Sequence, residues 1–169
     1  MANYKGHILG GLGSGIIVVS ALNLAPGEWL PSTQDVLGSW QTTFGLVAIS
    51  VLAALWPDVD TNSKAQNIFY GVGIVLNIIL ILGGFFVLSA LLGLLAMTPI
   101  VGKHRGWTHS KLAAVLVPLP LVTIPWLSGQ DIAGDALLVY IIAVSGYFSH
   151  LLLDGLIWKK IRLRSSWGN

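Results

Sequence analysis

The chain has 169 residues, 54% of them hydrophobic and only 9% charged, against roughly 25% charged in an ordinary soluble domain, which marks it as a membrane protein of one domain, residues 1–169. Its net charge of +2 does not make it a nucleic-acid binder, because the basic residues flank apolar runs, where positive charge sets topology. Cysteine is absent, which excludes disulfides and thiolate metal sites.

A helix that crosses the hydrocarbon core needs ~20 apolar residues, with ~17 tolerated, and six such segments are expected. The first spans about residues 7–25, and its Gly10, Gly11, Gly13, Ser14 and Gly15 suit close packing against another helix. No small-x-small cleavage site stands around Ala21 to Ala25, so this run is expected to be kept as a span and not removed as a signal peptide. Pro26, Gly27 and Pro31 end it. The second spans about residues 39–56; Pro57 then biases Trp56 away from helical geometry. Asp58-Val59-Asp60 is expected to begin a non-helical, polar loop that runs through residue 66, with the two aspartates projecting to one side if it is extended. The alternative for this pair is a solvated turn with local hydrogen bonds.

Residues 67–102 are too long for one crossing, since at 1.5 Å per residue they would make a helix of about 54 Å. Two helices joined at Gly83-Gly84 are expected, with Asn77 as an interhelical hydrogen-bonding residue. The fifth segment, about residues 110–127, carries Pro118, Pro120 and Pro125 and should be kinked. The sixth spans about residues 135–158 and is followed by the basic tail Lys159-Lys160-Ile161-Arg162-Leu163-Arg164.

Positively charged residues near helix ends are held on the cytoplasmic side of a membrane. Lys5 precedes the first segment, Lys64 follows the second, Lys103, Arg105 and Lys111 lie between the fourth and fifth, and Lys159, Lys160, Arg162 and Arg164 follow the sixth. The three opposite connections hold no Lys or Arg. The expected architecture is therefore an all-α polytopic bundle of six transmembrane helices with both termini cytoplasmic. Trp29, Trp40, Trp56, Trp107, Trp126, Trp158 and Trp167 all fall at or beyond segment ends, where the amphipathic ring prefers the interface.

That fold-back carries His7, Asp58, Asp60, His104, His109, His150 and Asp154 to the cytoplasmic end of the bundle. Ionisable groups are costly near a bilayer unless they face a cavity, a partner or a metal, and all four histidines of the chain are in this set. His150 and Asp154, four apart on a helix, share a face and can reach one ion; alternatively, Asp154 only orients His150. His104 and His109, five apart, lie about 140° apart round a helix and converge only if Gly106 breaks it. One of them can instead cap a helix or sit at the interface. Nitrogen and oxygen donors without sulfur suit zinc, manganese or iron, so the expected cofactor is a divalent transition metal, zinc first, as one or two ions. The guanidinium of Arg105 matches a phosphate, or simply anchors the positive side.

The histidine near the N-terminus, the PDVD of residues 57–60, the HRGWTHS of residues 104–110 and the SHLLLDG of residues 149–155 together resemble the family of bacterial inner-membrane metal-dependent hydrolases called LexA-binding and YdjM-like. That family is in turn distantly similar to zinc-dependent phospholipase C and P1-type nucleases. The resemblance implies that His7, Asp58, His104, His109, His150 and Asp154 are metal ligands and that Asp60 is a ligand or a base. The chain departs from the pattern at Thr61, where many members have histidine, and this leaves the metal count at one or two. The expected function is hydrolysis of an ester or phosphoester of a membrane lipid or lipid-linked substrate, with a proton taken by Asp60 or Asp58 and a phosphate held by Arg105. The alternative is a non-catalytic scaffold or regulatory protein with a structural metal. Transport is disfavoured, because ligands at one end of a bundle are unlike the midplane sites of transporters.

Overall fold

Asn3 starts the first helix by accepting the Gly6 N–H on its side-chain oxygen at 3.0 Å, the N-cap geometry that stabilises a helix by ~1 kcal/mol. In the computed structural model, which describes residues 3–24, 39–60, 64–84, 86–101, 107–127 and 133–156, the helices are α1 Tyr4–Leu24, α2 Trp40–Leu55, α3 Lys64–Leu82, α4 Phe86–Val101, α5 Lys111–Leu116, α6 Pro120–Leu127 and α7 Ala133–Leu153. Among the described residues there is no strand. Three helical stretches are long and apolar enough to cross a membrane: Tyr4–Leu24, Trp40–Val59 and Ala136–Leu153.

These three stretches pack on one another through small residues. The buried positions of α1, His7, Gly11, Gly15 and Val19, recur every fourth residue and form one face. Ser50 of α2 donates its hydroxyl to the Gly11 carbonyl at 2.8 Å and lies 3.0 Å from the Ser14 hydroxyl. From the other side Gly146 of α7 meets the same residue, and a Cβ there would stand 2.1 Å from the Ser50 carbonyl oxygen. The glycine-rich run therefore acts as expected at Gly10, Gly11 and Gly15, letting helices meet closely where apolar lipid gives them little hydrophobic reason to associate, whereas Gly13 has nothing within 4 Å of a Cβ. Outward-facing Leu9, Ile17 and Phe44 are more than two-thirds exposed, as lipid-facing side chains are.

The hairpin α3–α4 turns at Gly83-Gly84 as expected, with Gly84 at φ 78°, where a Cβ would be strained. Asn77 donates to the Ser89 carbonyl at 3.0 Å and accepts from the Ser89 hydroxyl at 2.7 Å, linking the two arms. With 19 and 16 residues, α3 and α4 are about 28 and 24 Å long, shorter than a ~30 Å core. The fifth segment breaks between Leu116 and Pro120. Pro118 and Pro120 lack the N–H groups that the Ala114 and Leu116 carbonyls would otherwise receive. Leu119 N–H serves the Leu116 carbonyl instead, at 3.3 Å. Pro120 becomes the first residue of α6, a position proline suits, so the break lies at Pro118 and not at all three prolines.

Other expectations are corrected. Residues 56–60 form a 3-10 turn, Trp56–Asp60, not an extended segment, so side chains two apart do not share a side. Gln66 belongs to α3, not to a loop, and its amide donates to the Val59 carbonyl at 3.0 Å, holding that turn. Trp56 is not an interface anchor: it is 2% exposed, and packs with Val59, Phe69, Ala113, Tyr147 and Leu151. The last helix ends at Leu153, earlier than residue 158. Gly155 takes φ 68°, its N–H reaches the Leu152 carbonyl at 3.0 Å, and the Leu156 N–H reaches the Leu151 carbonyl at 2.9 Å. This is the Schellman ending, and it makes Asp154 the C-cap.

Candidate metal centre

His7 lies in the second turn of α1, Asp58 in the 3-10 turn after α2, His109 in the turn before α5, and His150 with Asp154 at the end of α7. The fold brings all of these to one end of the bundle. His104 and Arg105 lie outside the described residues, as does the side chain of Asp60. Ser110, beside His109, is the N-cap of α5: its hydroxyl accepts the Ala113 N–H at 3.0 Å.

The imidazole Nε2 atoms and the carboxylate oxygens face one another at a consistent spacing. His7 Nε2 lies 3.7 Å from Asp58 Oδ2 and 3.6 Å from Asp154 Oδ1. His150 Nε2 lies 3.8 Å from Asp58 Oδ1 and 3.8 Å from Asp154 Oδ2. His109 Nε2 is 3.4 Å from Asp58 Oδ1. Direct N–H···O bonds fall at 2.7–3.2 Å, so these pairs stand too far apart to be good hydrogen bonds. Two donors about 2.0–2.2 Å from a shared tetrahedral ion stand roughly 3.3–3.5 Å apart, so the observed spacing lies at or just above that expected around a cation. His7, His150 and Asp154 place ligand atoms within 4.8 Å of one another, as do Asp58, His109 and His150.

Burial sharpens the fit. His150 is fully buried and His7 is 1% exposed, yet His150 Nε2 and His7 Nδ1 have no hydrogen-bond partner. A buried polar atom left so costs about 1–3 kcal/mol. For His150 Nε2 a cation would remove that cost. Its other nitrogen is satisfied, since Nδ1 lies 2.8 Å from the Ala54 carbonyl oxygen. That carbonyl can only accept, so Nδ1 carries the proton and the Nε2 lone pair points to the carboxylates, as in the outer-shell arrangement that orients metal-binding histidines. Ala54 supplies this carbonyl because it lies in the last turn of α2, where carbonyls run out of helical N–H partners.

His109 is held likewise. Its Nδ1 is 3.1 Å from the hydroxyl of buried Thr108, and the Thr108 carbonyl in turn accepts the Tyr147 hydroxyl. Ala54, Thr108 and Tyr147 were not evident as part of the site from sequence. Two of them had a signal: Thr108 lies inside the HRGWTHS run beside His109, and Tyr147 lies one helical turn before His150. The two groups of donors differ in access. The Asp154 side chain is 2% exposed, with His7 and His150 equally enclosed, whereas those of Asp58 and His109 are 25% and 14% exposed.

A family model described as YdjM inner membrane protein matches residues 1–164, which contain every donor above. No curated protein and no solved structure matches the chain significantly. Because the match runs through nearly the whole sequence, the chain belongs to the YdjM inner membrane protein family.

Proposed function

We propose that this protein is a six-span, metal-dependent hydrolase of the bacterial inner membrane, with both termini cytoplasmic, and that it cleaves an ester or phosphoester of a lipid or lipid-linked substrate at the cytoplasmic end of the bundle. The observation that carries the reading is the set of His7, Asp58, His109, His150 and Asp154 donors at 3.4–3.8 Å. A divalent cation, zinc first, would supply Lewis acidity and a water activated near neutral pH. The chain's own residues do the rest. His7, His150 and Asp154 enclose the centre, while the partly exposed Asp58 and His109 face the side from which a reacting molecule can enter. Asp60 takes the proton of the attacking water. The water oxygen bonds to the acyl carbon or phosphorus, the ester bond breaks, and the alcohol leaves with that proton. Arg105 pairs its fork with a phosphate.

An apolar groove supports the lipid reading. Between α3 and α4 runs a groove of about 270 Å³ lined by Phe69, Tyr70, Ile74, Ile78, Leu92 and Ala96 among others. Phe69 packs in the same cluster as Val59, the neighbour of Asp58. A scaffold with a structural metal is the second reading, favoured by the burial of His7, His150 and Asp154. The openness at Asp58 and His109 favours the hydrolase, because a purely structural site gains nothing from access.

Protein reconstituted with phospholipids and lipid phosphates is expected to turn over one of them, to stop on chelation and to resume with added zinc. No chelator-sensitive turnover across the panel would return the protein to the scaffold reading. The topology has its own test. Cysteines introduced at positions 62 and 166 should be labelled only from the cytoplasm, and those at 34 and 131 only from the periplasm; periplasmic labelling at 62 would overturn six spans.

A further inference from the structure

His7 and His150 are stacked, with ring centroids 3.8 Å apart and planes tilted by only 20°. The lone pair with which an imidazole binds metal lies in the plane of its ring. Two nearly parallel planes separated by a stacking distance do not meet near the nitrogens, so an ion ~2.0–2.1 Å from one Nε2 in its ring plane lies far out of the plane of the other. A single ion therefore cannot take good bonds from both. The carboxylates resolve this. Asp58 presents Oδ2 to His7 and Oδ1 to His150, while Asp154 presents Oδ1 to His7 and Oδ2 to His150. Each carboxylate thus offers a different oxygen to each ring, which is the arrangement of a bridge.

The geometry points to a two-ion centre, with one ion on His7 and one on His150, Asp58 and Asp154 bridging them, and hence to a phosphoester as the substrate. This deepens the hydrolase reading and rests on it for the substrate, although the ion count stands on geometry alone. His109 joins the His150 ion, because its Nε2 faces the same Asp58 Oδ1 at 3.4 Å. Paired metals clamp the attacking and leaving oxygens of an in-line displacement. Charge points the same way. Neutral imidazoles and two carboxylates contribute −2, so two dications leave the described ligands at +2, which suits an anionic phosphate better than a neutral carboxylic ester. With Asp60 added, the centre stays positive.

The two ions should differ in affinity. The His150 ion also has His109, and both rings are set by an outer partner, the Ala54 carbonyl and the Thr108 hydroxyl. His7 Nδ1 has no hydrogen-bond partner, so nothing fixes its tautomer.

The test is metal titration of the purified full-length protein with zinc, and with manganese followed by electron paramagnetic resonance. Two ions per chain, loading in two steps, with an exchange-coupled manganese spectrum, are expected. His7→Ala should lower the count to one and leave the first step in place. One ion per chain in the wild type, or two with the spectrum of isolated manganese, would overturn the bridged pair. In a parallel arm, a lipid phosphoester and a carboxylic ester of the same chain length are offered to the loaded protein. Cleavage of the phosphoester alone is the expected result, and preference for the carboxylic ester overturns the substrate assignment. One ion with chelator-sensitive turnover would sink the pair and leave the hydrolase standing; a coupled pair with no turnover of any ester would do the reverse.

Discussion

His150→Ala is expected to abolish tight metal binding and to lower turnover by more than ~100-fold, the largest effect of any single donor. Loss of an outer-shell partner alone costs about 10–100-fold in affinity or activity, and His150 is a donor itself, facing both Asp58 and Asp154. The substitution also empties a fully buried position and removes the bond to the Ala54 carbonyl, so some loss of stability accompanies it. His150→Gln, which keeps most of the volume, separates the effects. A ligand that binds only the folded state raises its melting temperature. Added zinc should raise that of the wild type in detergent by clearly more than that of either variant. A zinc-dependent rise in His150→Gln equal to the wild type would remove His150 from the centre.

Gly146→Ala should be the most destabilising small substitution away from the donors. Its Cβ would stand 2.1 Å from the Ser50 carbonyl oxygen and 2.8 Å from the carbonyl carbon. Backbone cannot rotate aside as a side chain can, so α2 and α7 would have to part. Overpacking typically costs 1–3 kcal/mol, and a clash with backbone places this case at about 3 kcal/mol or more. Separation also reaches the metal, since Ala54 and Asp58 follow Ser50 on one element while His150 and Asp154 follow Gly146 on the other. Gly13→Ala is the control. Nothing lies within 4 Å of a Cβ there, and a mid-helix alanine should leave stability unchanged or raise it by up to ~1 kcal/mol. Equal melting temperatures for Gly146→Ala and Gly13→Ala would show that the α2–α7 approach is not limiting.

The membrane class and the helical segments were legible in the chain because they rest on local quantities. Apolar length, Pro118 and Gly83-Gly84 act within a few residues of themselves, and the structure places breaks at both. His150 and Asp154 were legible as a pair because the pitch of a helix puts residues four apart on one face. The same reasoning failed where packing overrode local preference. Asp58 and Asp60 alternate as a strand would, yet Val59 and Trp56 bury themselves against Phe69, Tyr147 and Leu151 and wind the segment into a 3-10 turn. Trp56 read as an interface residue for want of any sign that its indole N–H would reach the Leu95 carbonyl at 3.3 Å.

By itself, then, the sequence determined that this is a helical membrane protein and which scarce ionisable side chains could form a site, since hydrophobic length and the cost of charge in lipid are properties of each segment alone. Tertiary structure alone decided how those side chains face one another. The stack of His7 on His150 joins residues at opposite ends of the chain, and it depends on how closely α1, α2 and α7 approach at Gly11, Ser50 and Gly146. That distance is set by the fit of backbones, which no local pattern encodes. The proton on His150 Nδ1 was decided in the same way, by a carbonyl of Ala54 whose side chain carries no chemical signal.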